Sequence, residues 1–186
     1  YRNFTKESPV EQSIEMMTSL VRENYSTQSK KAAAISTITY EDFLDFSKNL
    51  LREVYSESLL YGNMTSSDAR EVWERIETTL EAQVFPREKH ENNKIIVMPK
   101  SVGPFYIVER TERQGNAVVL MLQQGPFTFK NRAAQQVLSQ GIKEPFFSTL
   151  RTQQQTAYIV WNWDQEIERQ LFNFFAVQSS THNVRD

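Results

Sequence analysis

The feature that most constrains this chain is a change of hydrophobic period across the polar run Arg87-Glu88-Lys89-His90-Glu91-Asn92-Asn93. Before it, apolar residues recur at steps of three and four, the spacing of one helix face. After it, strand-like segments with alternating apolar positions predominate. A chain of 186 residues that holds the two patterns in separate blocks is expected to fold as α+β, with helices packed on an antiparallel sheet. Phe85-Pro86 closes the helical block, because proline cannot continue helical hydrogen bonding. The expected organisation is residues 1–85, a linker at 86–93, and residues 94–186.

Three helix starts are written in the first block. Ser8-Pro9-Val10-Glu11 is a capping box with proline at the first helical position, where its missing N–H would have no partner in any case. Val10, Ile14, Met17 and Val21 then share one face and are expected to be buried. Thr39-Tyr40-Glu41-Asp42 opens a second helix with Phe43, Phe46, Leu50, Leu51 and Val54 as its stripe. Thr65-Ser66-Ser67-Asp68 opens a third, with Ala69, Val72, Trp73, Ile76 and Leu80. Between these two helices, Tyr55 to Tyr61 ends in Gly62-Asn63 and reads as a short strand.

Beyond the linker, strand-like segments are expected at Lys94 to Met98 and Phe105 to Glu109, separated by Pro99, Gly103 and Pro104. Gly115-Asn116 marks a turn into Ala117 to Gln123, and the alternation on both sides predicts a hairpin of 105–109 with 117–123. Asn131 to Gln140 follows as a helix carrying Ala134, Val137 and Leu138, with Gly141 placed as its left-handed cap. Pro145 to Gln153 reads as a further helical segment. Ala157 to Trp163 then alternates as an amphipathic strand, and Arg169 to Gln178 is its partner.

Composition excludes several functions. With a formal charge of −2 and both signs mixed along the chain, there is no basic stripe to neutralise phosphates, so a nucleic-acid partner is not expected. No apolar run reaches the length of a membrane span, and the first residues lack the order of a signal peptide. The reading is a soluble segment, and the absence of cysteine is compatible with cytoplasm and periplasm alike. The start at Tyr1 and the polar end at Asp186 suggest that the chain was cut from a longer one.

Catalytic chemistry is sparse. His90 and His182 are the only histidines, and neither has a second ligand at helical spacing, so no self-contained zinc site is expected and both read as solvated. No Gly-x-Ser-x-Gly turn or phosphate-binding loop occurs. Acidic pairs such as Glu41-Asp42 fall in first helical turns, where negative charge meets the helix dipole. The acceptor tripeptides at Asn3, Asn24 and Asn63 are too short a pattern to carry weight without a secretory context. The exception lies between Leu150 and Val160, where Arg151 and Tyr158 flank a helix-to-strand junction. Arg offers a forked, permanent cation and Tyr one directional hydroxyl, a combination suited to a peptide carbonyl or carboxylate. Spacing alone leaves open the alternative of a salt-bridged Arg and a packed Tyr.

This run, Leu150-Arg151-Thr152-Gln153-Gln154-Gln155-Thr156-Ala157-Tyr158-Ile159-Val160, resembles the Leu-Arg-Thr-x-x-Gln-x-Gly-Tyr-x-Val segment of insulysin/pitrilysin (insulinase) family peptidases. It keeps Leu150, Arg151, Thr152, Gln155, Tyr158 and Val160, and Glu144-Pro145-Phe146-Phe147-Ser148-Thr149 is similar to the family's approach to it. Upstream, Glu57-Ser58-Leu59-Leu60-Tyr61-Gly62-Asn63-Met64-Thr65 resembles the strand and turn of the family's third domain.

The resemblance implies parts of two homologous domains: the C-terminal part of the third in 1–85 and the N-terminal part of the fourth in 94–186. In the family two halves close like a clamshell, and zinc belongs to a His-x-x-Glu-His motif with a distal glutamate in the N-terminal half. No match to that motif is present. The resemblance therefore implies a non-catalytic segment of a zinc metallopeptidase, inactive alone, with its own zinc-bearing N-terminal half and a peptide substrate as partners. Arg151 and Tyr158 are the substrate-binding residues it implies; it assigns no catalytic or metal-binding residue here. The family's glycine before the Tyr is replaced by Ala157. One alternative is a catalytically inactive family member serving as scaffold or interaction module. Another, independent of the resemblance, treats 94–178 as a domain that binds extended peptides at a sheet edge.

Overall fold

All three capping boxes form. Ser8 with Glu11 opens α1 (Pro9–Val21), Thr39 with Asp42 opens α3 (Tyr40–Asn49), and Thr65 with Asp68 opens α4 (Ser66–Leu80). In each, the acid reaches back to the cap residue while the cap hydroxyl accepts from the helix N–H, satisfying two donors that the helix itself cannot. The computed structural model describes residues 4–99 and 102–183, so Asn3 lies outside the described residues. A further helix, α2 (Gln28–Ile35), is polar in its first half, mostly alanine in its second, and buries no residue. Without an apolar stripe it left no periodic signal in the sequence.

The chain divides into two units, Ala34–Asn92 and Tyr1–Ala33 with Asn93–Asp186. In the first, β1 (Glu53–Val54) pairs in parallel with β2 (Gln83–Val84). The strand expected at 55–61 is thus confined to the two residues before it. Phe43, Phe46, Leu50 and Leu51 on and after α3 are exposed, as are Val72 and Ile76 on α4. The helical pattern was read correctly, but the stripes are only partly covered within this unit, with Val54, Ala69, Trp73 and Leu80 half-buried.

The second unit is built on a three-stranded antiparallel sheet. β3 (Asn116–Pro126) and β4 (Ile159–Ile167) flank β5 (Gln170–Ser179). The β4–β5 hairpin matches the expected pairing, and its turn places both Glu168 and Arg169 at positive φ. β3 forms as a strand but pairs with β5, which corrects the expected hairpin with 105–109. Those residues form no strand, and Phe105, Tyr106 and Val108 are exposed. Period-2 alternation identifies a strand and its faces but not its partner, and β5 offers β3 a longer apolar ladder. At 94–98 only an isolated bridge between Arg22 and Ile95 forms.

Strand alternation assigns the two faces of the sheet. One carries Val119, Met121, Trp163, Ile167, Phe172 and Phe174, which pack with Val21 of α1 and with Ile95; Trp163 stacks on Phe174 at 4.7 Å between ring centroids. The other face meets α5 (Phe129–Phe147), whose Phe146 lies edge-on to Phe175. α5 corrects the shorter helix expected at 131–140. It is capped by Thr128 and runs through Gly141 and Pro145 without the predicted left-handed cap. Ala134, Val137 and Leu138 are exposed, and the residues it buries are Gln135 and Ser139.

Two measurements test this packing. Phe172 is fully buried, so Phe172→Ala is expected to lower unfolding free energy by about 3–5 kcal/mol; a loss of less than a quarter of that, read from urea denaturation curves, would contradict its placement. The second concerns the capping acids. Glu11 is held below the ordinary glutamate range by the Ser8 hydroxyl and then the Ser8 N–H, and Asp42 and Asp68 below the aspartate range by the N–H and then the hydroxyl of Thr39 and Thr65. Because the folded values are depressed, this stabilisation is present above the unfolded carboxylate pKa of about 4 and is lost as pH falls through the lower folded values. The triple variant Glu11→Gln, Asp42→Asn, Asp68→Asn is expected to flatten the acid limb of helicity followed by circular dichroism. An unchanged slope between about pH 5 and pH 3 would rule out the caps as its source.

Candidate functional site

The helix that carries the Leu-Arg-Thr run does not stop where ordinary helical pitch would place its end. After Phe147 it widens into a π-helical turn, Ser148–Gln153, closed by the Gln154 N–H donating to the Thr149 carbonyl at 2.9 Å. The chain then reverses through Gln155, at φ +53°. The Leu150 carbonyl accepts from both the N–H of Thr156 at 3.0 Å and its hydroxyl at 2.9 Å. This tie fixes the start of β4, and the Tyr158 N–H donates to the Gln178 carbonyl at 3.0 Å. Wide turns of this kind occur frequently at functional positions in helices.

The consequence is that Arg151 and Tyr158, seven positions apart in the chain, come together. The Arg151 guanidinium carbon lies 4.6 Å from the Tyr158 ring centroid and 5.9 Å from that of Phe147. Both distances are within cation–π range, where the negative ring face attracts the cation. Among the described residues no carboxylate pairs with Arg151. Tyr158 is 75% exposed. A salt-bridged Arg beside a packed Tyr is therefore not what forms. The rings orient the guanidinium while leaving its N–H groups free to donate.

Arg151, Gln155, Thr156 and Tyr158 form one side of an open cavity of about 400 Å³, and Ser179, Ser180 and Thr181 at the end of β5 form the other. A Cβ on Gly115, which has φ +102°, would lie 2.9 Å from the Ser179 carbonyl oxygen, so only glycine lets the chain entering β3 pass this rim. Ala157, in place of the family's glycine, is buried and is not among the positive-φ residues. Its backbone needs no conformation reserved for glycine.

Phe147, Thr156 and the Ser179–Thr181 rim were not singled out from the sequence. The rim was recoverable in principle: counting outward from the turn at Glu168-Arg169 sets Ile159 opposite Gln178, which brings Ser179 opposite Tyr158. Phe147 was recoverable too: it stands four residues before Arg151, the spacing at which side chains on one helix face meet.

The histidines are separate from this chemistry. His90 is half-buried rather than solvated, with its ring 4.0 Å from that of Tyr55 and stacked on Phe85 at 5.6 Å. His182 points its Nδ1 at the Thr181 hydroxyl at 3.0 Å. Among the described residues no three His, Cys, Asp or Glu side chains gather as a metal-binding group, so they present no donor set suited to zinc. No helix of the described residues is long and apolar enough to cross a membrane.

Comparison with known proteins agrees with the two resembling segments. Insulin-degrading enzyme of Drosophila melanogaster is 26% identical over 189 residues, covering 97% of this chain and 19% of that protein. Nardilysin of Rattus norvegicus is 24% identical over 140 residues, covering 74% of this chain and 12% of that protein. The crystal structure of pitrilysin superposes with a TM-score of 0.69 at 19% identity, covering 97% of this chain and 19% of that one; at that identity the likeness shows the fold. The chain thus spans about a fifth or less of the length of these relatives. Residues 37–185 match the family model described as the peptidase M16 inactive domain, and the chain belongs to that family.

Proposed function

We propose that this chain is a non-catalytic segment of a longer insulinase-family zinc metalloendopeptidase, and that Arg151 and Tyr158 bind the peptide and steady the charge that develops on its carbonyl oxygen. The observation that carries this reading is the guanidinium held 4.6 Å over the Tyr158 ring without a carboxylate partner among the described residues. A surface arginine with nothing to do is free to wander or to find an acid. This one is oriented by two aromatic rings at the rim of a cavity, with its donors unspent.

Donors preset toward a carbonyl oxygen strengthen as negative charge grows on that oxygen, so their contribution falls mainly on turnover. The Tyr158 hydroxyl supplies a second, neutral donor from the strand side. By the family resemblance, zinc belongs to the N-terminal half of the parent, whose His-x-x-Glu-His motif has no match in this chain. The parent's two halves and the peptide between them are the partners in this reading. The division into a third-domain piece, 1–85, and a fourth-domain piece, 94–186, belongs to the same proposal; the unit boundary between Asn92 and Asn93 supports its later edge, whereas residues up to Ala33 group with 93–186 and not with the rest of 1–85.

In the full-length parent, Arg151→Ala and Tyr158→Phe are each expected to lower kcat by roughly two to three orders of magnitude, with little change in thermal midpoint. Wild-type cleavage kinetics in both variants would defeat the assignment. The isolated chain, purified free of proteases and supplied with zinc, is expected to leave a fluorogenic peptide intact. Chelator-sensitive cleavage by it would show that the reading of a non-catalytic segment is mistaken.

A further inference from the structure

The side of α5 that faces its sheet is unusual in being polar over its first half. Arg132, Gln135 and Ser139 point inward there, while Val137 and Leu138 are exposed. Each inward residue makes a directional contact. The Arg132 Nη1 lies 2.9 Å from Asp164 Oδ2 and also donates to Gln135 Oε1 at 2.9 Å. The Gln135 Nε2 donates to the Phe172 carbonyl at 2.8 Å, and the Asn162 amide donates to the Ser139 carbonyl at 3.1 Å.

This seam is not an economical way to stabilise a fold. Asn173 sits opposite Asp164 across the strands and is 1% exposed, yet among the described residues neither polar atom of its side chain has a partner, and the Asn162 Oδ1 has none either. Buried polar groups left unpaired are destabilising, and replacing a buried polar pair with apolar residues of similar size is often neutral or favourable.

The positions joined by the seam suggest another use. Asn162 and Asp164 lie on β4, the strand that follows Tyr158, and Arg132, Gln135 and Ser139 lie on α5, the helix that runs into the π turn carrying Arg151. The polar contacts are cross-braces between the two arms that converge on the Arg–Tyr pair. Apolar packing is non-directional and tolerates sliding, whereas hydrogen bonds fix distance and angle.

We propose that Arg132, Asp164 and Asn162 are positioning residues that set the register of α5 against β4 and thereby place the Arg151 guanidinium over the Tyr158 ring. The proposal rests on the reading of that pair as peptide-binding.

The test uses the full-length parent carrying Arg132→Met with Asp164→Leu. Its thermal midpoint is expected to hold or rise, while kcat falls roughly ten- to hundredfold, as a displacement of about 1 Å at a reacting centre can produce, with a smaller change in KM. In an Arg151→Ala background the same replacement is expected to cause no further loss, because both act through one group. A merely structural role would lower the midpoint and spare kcat, or give losses that multiply; either result overturns the inference. A crystal structure of the variant reads placement directly, and a stack retained at 4.6 Å overturns it whatever the kinetics. Unchanged turnover in Arg151→Ala alone would instead sink the peptide-binding reading, leaving the crystal structure to decide the positioning. Should the double variant fail to fold, Asn162→Val, which cuts only the tie to Ser139, is judged by the same outcomes.

Discussion

The strand-bearing unit depends on β5 being hydrogen-bonded along both edges and buried on both faces. Leu171, Phe172, Asn173 and Phe174 follow one another with 5% exposure or less. Such a run cannot sit at a sheet edge or under a single layer, so it requires a strand on either side and a cover above and below. β3 and β4 supply the first, and α1 and α5 the second. The two covers differ in chemistry. α1 seals an aromatic face by the hydrophobic effect, which is non-directional, whereas α5 is held by individual polar contacts over half its length.

That difference bears on how an Arg and a Tyr from opposite sides of a chain reversal are kept in contact. Tyr158 is anchored through the β4–β5 ladder, and therefore through the most deeply buried strand in the unit. Arg151 has no such anchor. Its place follows from α5, the π turn, and the double tie on the Leu150 carbonyl. The exposed pair is thus a surface feature whose geometry is decided by buried groups some distance away.

Much of this was legible in the sequence, and what was not has definite physical causes. The capping boxes announced α1, α3 and α4 because their hydrogen bonds are local and need no knowledge of the fold. The β4–β5 hairpin was legible for a similar reason, its two arms being separated only by a turn. β3 could be recognised as a strand, but its partner could not, since nothing in residues 117–123 distinguishes a neighbour at 105–109 from one fifty residues on. α5 misled most. Val137 and Leu138 marked an apolar stripe, and the helix docks by Gln135 and Ser139 instead; a periodicity search weighted by hydrophobicity cannot find a polar seat. At the site, Arg151 and Tyr158 were singled out by their place at a helix-to-strand junction and given a role only by resemblance, while Phe147, four residues before Arg151, was within reach of helical spacing but was not picked out.

The π turn also limits which changes of length the chain can tolerate. It holds one residue more per turn than an α-helix, and that surplus residue turns Arg151 toward Tyr158. Shortening 148–153 by a single residue would restore ordinary pitch and remove the wide turn on which Arg151 stands, while leaving the preceding helix nearly in phase with β4, because one residue fewer at α pitch turns the chain about as far. In this stretch the number of residues therefore bears on where Arg151 stands more than on how the helix before it packs.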